Sequence, residues 1–483
     1  MLANVGVGEN SLERDIVDYA LDLARSKKVE YAEARAQSTN HDELVIKNGT
    51  LDAFLSTIDS GFCVRILADG GLGFASTNKW TKDEAKEIVD TAYKFAKIAG
   101  RKDRITFADE KGVKAKWSVE QKEKIEDIPP EKKIDELMEV DKTLSSQEVK
   151  VPGRIMGASI NLIEKYFVNS EGSIISSFVP KIGVFAFITV VENGKPEQAY
   201  KQFGRSGGWE AFNEWKVAEA LLHDAKALQK LIKEGKAVKP GKMDLVCGTE
   251  VTGIASHESC GHPIEADRIL GREMSQAGRS FIYLGGPYWI GTRIGNDKVT
   301  IVDDPTVKNS YGYYEYDDEG IKARRRYLYK NGIINEFLQN RETAAKLGTR
   351  SNGSSRSISY DREAIVRMAN TFLLPGDWTE EEIIEDVKYG IYMKSFTEWN
   401  IDDRRFNQRY VGREASLIEN GELKHPVARP VIETSTKNWW SAVDAISKEV
   451  GYDAATCGKG DPMQGVPVYT GGPVIRLKEV YVK

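Results

Sequence analysis

His257-Glu258-Ser259-Cys260-Gly261-His262 runs on through Pro263-Ile264-Glu265-Ala266-Asp267. The chain has five histidines in 483 residues, and two of them stand here with a glutamate directly after the first. Two imidazoles that hold a divalent metal, beside a carboxylate that takes a proton from the attacking water, are the working parts of a zinc hydrolase. The familiar arrangement is His-Glu-x-x-His, with the histidines four apart on one helix face. Here the spacing is five. At about 100° per residue, five steps on an ideal α-helix leave the imidazoles roughly 140° apart, too far round to share a small ion. The helix must therefore deform or end near His262. A π-bulge, whose wider turn brings the second histidine back toward the face of the first, is the expected device. Gly261 removes a side chain where the distortion is needed, and Pro263 rules out an ordinary continuation. The alternative is a pair of buried histidines satisfied by backbone groups.

Two histidines do not close a catalytic zinc site, which needs a third protein ligand and an open position for water. The candidates are Cys260 inside the motif, Glu265 and Asp267 just after it, and Cys457 in Ala455-Thr456-Cys457-Gly458-Lys459-Gly460. Simultaneous binding by His257, Cys260 and His262 would be cramped. Cys457 lies in a glycine-flanked loop that can be aimed freely, so geometry leans toward it.

Composition bounds the rest. With 41% hydrophobic and 29% charged residues, 483 residues make an ordinary globular chain with room for two or more cores. A net charge of −5, from 68 basic and 73 acidic residues, gives no electrostatic case for nucleic acid. Met1 to Glu13 reads as neither a positive leader nor an apolar signal core. The longest apolar run, Ile182 to Val191, is far short of the ~20 residues that span a bilayer. Four cysteines, Cys63, Cys247, Cys260 and Cys457, do not make a disulfide framework in a chain of this length, and the expected compartment is the cytoplasm.

The pattern is α+β in two domains, residues 1–236 and 237–483. The first is expected to be an N-terminal α/β sandwich-like domain with antiparallel strands. Ser11 is a candidate N-cap for an amphipathic helix over 12–27. Strands follow over Tyr31 to Ala36 and Leu44 to Ile46, then over Leu51 to Thr57 and Phe62 to Leu67, with Asn48-Gly49 as a hairpin signal. Thr81 with Glu84 predicts a capping box for a helix reaching about Ala99. A further helix runs from about Pro130 to Leu144, strands return over 150–203, and a helix carrying Leu221, Ala225 and Leu228 closes the unit. Lys233 to Lys242 is the linker candidate. The second domain is expected to be sheet-rich and to carry the metal helix, entered from a short strand at Asp244 to Cys247. Asn193-Gly194, Asn331-Gly332 and Asn420-Gly421 add hairpin signals, and Trp439-Trp440 reads as core or interface.

His257-Glu258-x-x-x-His262 with an acidic residue at 267 resembles the metal motif of the TldD side of the TldD/PmbA (TldE) metalloprotease family. The likeness extends in order over nearly the whole chain. It includes Gly61-Phe62-Cys63-Val64-Arg65, Asn169-Ser170-Glu171-Gly172, Asp317-Asp318-Glu319-Gly320, Arg367-Met368-Ala369-Asn370-Thr371, Leu417-Ile418-Glu419-Asn420-Gly421 and Thr456-Cys457-Gly458-Lys459. The resemblance implies His257, His262 and Cys457 as zinc ligands and Glu258 as the catalytic base. Cys260 departs from the small apolar residue of the family pattern, which leaves a second thiolate open. It further implies a peptidase of unfolded polypeptides or peptides, built as one subunit with a PmbA/TldE-like paralogue or as a homodimer. Two other readings of the same residues are a zinc amidase or deacylase of small substrates and a non-catalytic peptide-binding subunit with a structural metal.

Overall fold

The computed structural model describes residues 12–100, 104–273 and 278–483. The Ser11 cap lies outside the described residues. Seven strands form the first sheet: β1 (Tyr31–Lys47), β2 (Thr50–Ala68), β3 (Gly71–Thr77), β4 (Lys114–Ser118), β5 (Gly153–Asn169), β6 (Ile174–Glu192) and β7 (Lys195–Ser206). Their order is β3-β2-β1-β5-β6-β4, with β7 also on β6; all pairs are antiparallel except β4 on β6. On β1 the even positions Ala32, Ala34, Ala36, Leu44 and Ile46 are buried under helices, as period-2 alternation requires. Helices Arg14–Ser26 and Lys82–Ile98 cover one half of that face, and Pro130–Ser145 and Val217–Glu234 the other. The odd positions Arg35, Gln37, Thr39 and His41 face the C-terminal unit.

Sequence pattern divides β1 in two, because Gln37 to Glu43 carries no apolar alternation. The strand is continuous, since that stretch is paired on both sides: Gln37 stands opposite Gly61 and Lys165, and His41 opposite Thr57 and Asn161. Backbone pairing in a central strand overrides weak local preference. The expected capping box is half present: the Thr81 side chain accepts from the Glu84 amide, while the Glu84 carboxylate turns to Thr77 and Lys79 instead. Four of the five Asn-Gly pairs, Asn48-Gly49, Asn193-Gly194, Asn331-Gly332 and Asn420-Gly421, make hairpin turns with both residues at positive φ, 48° and 77° at the first for example.

Fourteen strands form the second sheet. Its spine is the hairpin of Val443–Lys459 with Gln464–Val482. Strand Gly241–Cys247 lies between Gln464–Val482, antiparallel, and Tyr389–Met393, parallel. Trp439 and Trp440 are fully buried in the core beneath. The mixed α+β architecture, an antiparallel sheet under helices followed by a sheet-rich half that carries the metal helix, is the one expected from sequence. None of the described helices is long and apolar enough to cross a membrane.

The two units meet around a group of charges, Lys201 and Asp224 from the first and Glu250, Arg413 and Asp453 from the second; Asp224 and Arg413 are buried, and Lys201, Glu250 and Asp453 are partly buried. Burial pushes the Glu250 carboxyl up to about 7, with Asp453 adding to the rise and Arg413, 3.5 Å away, opposing it. An unfolded glutamate titrates near 4.3, so between about 4.3 and 7 the folded chain holds the extra proton and stability falls as pH rises. Glu250→Gln should therefore gain about 1–2 kcal/mol over the parent chain on going from pH 5 to pH 8. Paired melting curves at the two pH values measure it; an equal difference at both would mean that the Glu250 carboxyl is already ionised at pH 5.

Candidate metal centre

Strand Gly241–Cys247 ends inside the sheet, so the residue that follows is held in place before the helix begins. Gly248 makes that turn with no room for a side chain, a Cβ there meeting the Lys394 carbonyl at 2.3 Å. Thr249–Ser256 is α-helical, His257–Gly261 is a π-helical turn, and His262–Ile264 closes as a tight 3-10 turn. The wider turn absorbs the fifth residue of the spacing. It sets the His257 and His262 rings side by side, centroids 4.8 Å apart and planes at 82°. Gly261 has a packing reason as well: a Cβ would stand 2.0 Å from Met368 Sδ.

Cys457 arrives from the Val443–Lys459 strand, 195 positions from His262, and its Sγ lies 3.6 Å from His262 Nε2. The ligand atoms of His257, His262 and Cys457 all fall within 4.8 Å of one another, and all three residues are buried. Tetrahedral zinc at about 2.3 Å from sulfur and 2.0 Å from nitrogen needs S···N separations of about 3.5 Å. The Cys457–His262 distance matches that figure.

The protonation states suit a metal as well. Burial lowers both imidazoles, which favours the neutral, ligating form. Burial alone would raise the Cys457 thiol, but His262 and the Arg367 guanidinium outweigh it and bring the thiol down to about 7. Arg367 donates to the Cys457 carbonyl and, at 2.8 Å, to the Gln464 carbonyl, which fixes the hairpin. His262 Nδ1 lies 3.1 Å from Glu265 Oε2, so its Nε2 is aimed at the cluster. His257 Nδ1 is buried without a hydrogen-bond partner. A cluster holding such an orphaned nitrogen, a low thiol and an oriented imidazole fits a cation.

The other candidate ligands stand elsewhere. Glu265 is behind His262, held by Arg268 and by Lys459 at 3.4 Å. Asp267 is taken by Lys459 Nζ at 2.7 and 2.8 Å. Cys260 is fully buried in the hydrophobic core against Tyr329, and burial pushes its thiol well up. It therefore packs as a small neutral hydrophobe.

Glu258 is buried beside the cluster and forms an ion pair with Arg405. Sequence reasoning missed Arg405, along with Glu265, Arg268 and Lys459 as a supporting charge network. Arg405 sits at φ 63°, in the left-handed region that a non-glycine residue seldom adopts. The turn is held by Asp402, whose carboxylate accepts from the backbone amides of Arg404, Phe406 and Asn407. Asp402 at the head of an Arg-Arg turn is the sequence signal for this conformation.

Comparison with known proteins adds three kinds of likeness. Residues 240–483 match the model of the PmbA/TldA metallopeptidase C-terminal domain, residues 32–96 that of domain 1, and residues 123–230 that of the central domain. A curated metalloprotease of Methanothermobacter thermautotrophicus is 30% identical over 461 residues, covering 94% of this chain and 96% of that one. The zinc metalloprotease TldD homologue of Saccharolobus solfataricus is 26% identical over 430 residues, covering 88% and 90%. Among solved structures, TldE of Thermococcus kodakarensis superposes with a TM-score of 0.74 over 97% of this chain and 99% of that one; at 17% identity the likeness is one of fold.

Proposed function

The chain belongs to the PmbA/TldA metallopeptidase family, and from that premise we propose that it is a zinc-dependent peptidase whose ligands are His257, His262 and Cys457 and whose catalytic base is Glu258. The observation that carries the reading is the convergence of two imidazoles and one low-pKa thiol within 4.8 Å, next to a buried carboxylate. Zinc bound by these three side chains would supply Lewis acidity to the scissile carbonyl and to the attacking water.

The chain's own residues do the rest. Glu258 accepts the proton of the attacking water and returns it to the leaving amine. Arg405 holds the Glu258 carboxylate in place through their buried ion pair. Glu265 keeps His262 in the tautomer and orientation that present Nε2. Arg367 fixes the backbone of Cys457 so that its sulfur cannot drift from the histidines. Burial of all four central residues keeps bulk water from competing with these interactions.

Substrates on this reading are unfolded polypeptides or peptides, and the working particle is a pair with a PmbA/TldE-like paralogue or with a second copy. A free edge supports the pairing. Among the described residues, Thr50 to Asp59 of β2 pairs with β1 on one side only, and Leu51, Phe54, Leu55 and Ile58 are exposed along it.

The test is hydrolysis of a reduced, alkylated polypeptide beside its folded parent, by the metal-loaded chain alone and mixed with its paralogue. Cleavage of the unfolded form only, lost to a chelator and restored by zinc, is expected. Cleavage of small amides with no cleavage of polypeptide in either mixture would overturn the peptidase reading.

A further inference from the structure

A cavity of about 630 Å³ lies between the polar face of the first sheet and the loops of the C-terminal unit. None of His257, Glu258, His262 and Cys457 lines it. Thr456 and Pro467 do, and they stand opposite each other one step along the hairpin from the Cys457–Val466 pair. Gly465 and Val466 line it as well, so the hairpin that carries Cys457 forms part of the cavity wall.

Five lysines and arginines line this space; Arg362 is paired with Asp361, and the partners of the other four do not balance them. Lys165 pairs with Asp318 at 2.7 Å. Arg35, only 2% exposed, has its Nη1 3.7 Å from the same Asp318 and without a hydrogen-bond partner. Its Nη2 is spent on the Ser359 and Arg362 carbonyls. Lys181, 6% exposed, donates to Ser206 Oγ at 3.0 Å and to the Tyr311 carbonyl, and no carboxylate faces it. Arg356, 8% exposed, donates to the Met368 and Pro467 carbonyls and lies over the Tyr314 ring.

The remaining acids do not close the gap. Burial and the neighbouring Glu319 raise the Asp317 carboxyl, and both of its oxygens are taken by backbone amides, those of Glu319, Ile321 and Ser355, rather than by a cation. Asp361 is taken by Arg362, and Asp59 is exposed beside Ser359. Among the described residues Asp318 thus serves Lys165, Arg35 and, at longer range, Arg356, and leaves Lys181 with no carboxylate. Burial, with Arg356 and Lys165 as like charges, pushes the Lys181 ammonium well below the usual lysine range, which is the expected response to a missing anion. A buried cation without a counter-charge is costly, and an anionic ligand would relieve that cost.

We propose that this cavity is a second ligand site, which takes a small organic anion with its carboxylate or phosphate among Arg35, Lys181 and Arg356 and its body against Tyr311, Tyr313 and Tyr314. The aromatic wall asks for a planar or apolar body. The guanidinium of Arg356 and the ammonium of Lys181 ask for an oxyanion. The site stands apart from the peptidase reading and would survive its failure.

The experiment uses the full chain, with thermal melting and titration calorimetry against phenyl phosphate, 3-phenylpropionate and the uncharged 3-phenylpropanamide. One or both anions should bind and raise the melting temperature, while the amide should not. Phenyl phosphate alone would assign a phosphate ligand, 3-phenylpropionate alone a carboxylate. In Lys181→Met the dissociation constant should rise about tenfold or more, as expected when a charged hydrogen bond is lost. The ligand-free variant should melt higher than the parent, because an uncompensated buried cation has gone. If Lys181→Met does not fold, Lys181→Gln keeps the contacts to Ser206 and Tyr311 and is read in the same way. Binding unchanged in the variant, or no binding of either anion by the parent, would overturn the proposal and leave Lys181 as a structural tie between the units.

Discussion

Glu258→Gln should leave bound metal at the parent level and lower hydrolysis of an unfolded polypeptide by about 10²–10⁴-fold, the usual contribution of a positioned general base. The substitution is nearly isosteric, so the π-turn that carries His257 and Glu258 has no steric reason to change. What is lost is the capacity to take a proton and the negative charge beside Arg405. The second loss has its own signature, because weakening a buried ion pair lowers stability by up to about 3–5 kcal/mol. Melting and turnover must therefore be measured together, at a temperature where the variant is fully folded. Metal content by elemental analysis separates a missing base from a broken site. Full activity in a folded, metal-loaded Glu258→Gln would remove Glu258 from the mechanism and leave Arg405 guarding a merely structural carboxylate.

Helix geometry made one part of this site legible in advance. A spacing of five between two imidazoles is incompatible with a shared ion on an ideal helix, and the chain resolves the conflict with the wider turn at His257–Gly261. Hairpins were legible for a similar reason, since Asn-Gly pairs satisfy a backbone need that few other residues meet. Long-range pairing was not. Gln37 to Glu43 looks like a loop because its side chains alternate with nothing apolar, yet β2 and β5 hold its backbone on both sides. Gln37, Thr39 and His41 there face the cavity between the two units, an environment no local pattern announces.

The supporting charges of the metal centre were hidden by the same distance effect. Arg405 meets Glu258 across 147 residues, and Lys459 meets Asp267 across 192. Glu265 and Asp267 were visible as acids near the motif, and sequence alone allowed either to ligate. The fold decides otherwise because Arg268 and Lys459 reach them first, which turns two candidate ligands into the groups that orient His262 and anchor the hairpin. Cys260 was likewise visible, and its environment rather than its spacing sets it aside: Tyr329 and the surrounding core leave it no partner charge to lower its thiol.

Cys457→Ser and Cys260→Ser turn that difference into a measurement. Metal per chain should be near one in the parent protein, near zero in Cys457→Ser after dialysis against a weak chelator, and unchanged in Cys260→Ser. The reasoning rests on where each sulfur stands. Cys457 Sγ is 3.6 Å from His262 Nε2 and is lowered to about 7 by His262 and Arg367 against the opposing effect of burial, so on the proposed reading it would supply the anionic donor of the set. A serine hydroxyl at the same place is a poor zinc ligand, and two imidazoles alone hold the ion too weakly to survive competition. Cys260 sits among apolar side chains, so its replacement by serine buries a hydroxyl and should cost about 1–3 kcal/mol of stability with no effect on metal. The two variants thus fail in opposite ways, one losing metal and the other melting earlier. Should metal instead follow Cys260, the core would have to open and swing that thiol past Tyr329 toward His257. The ligand set of His257, His262 and Cys457 would then be wrong, and with it the open coordination position on which peptide hydrolysis at this site depends.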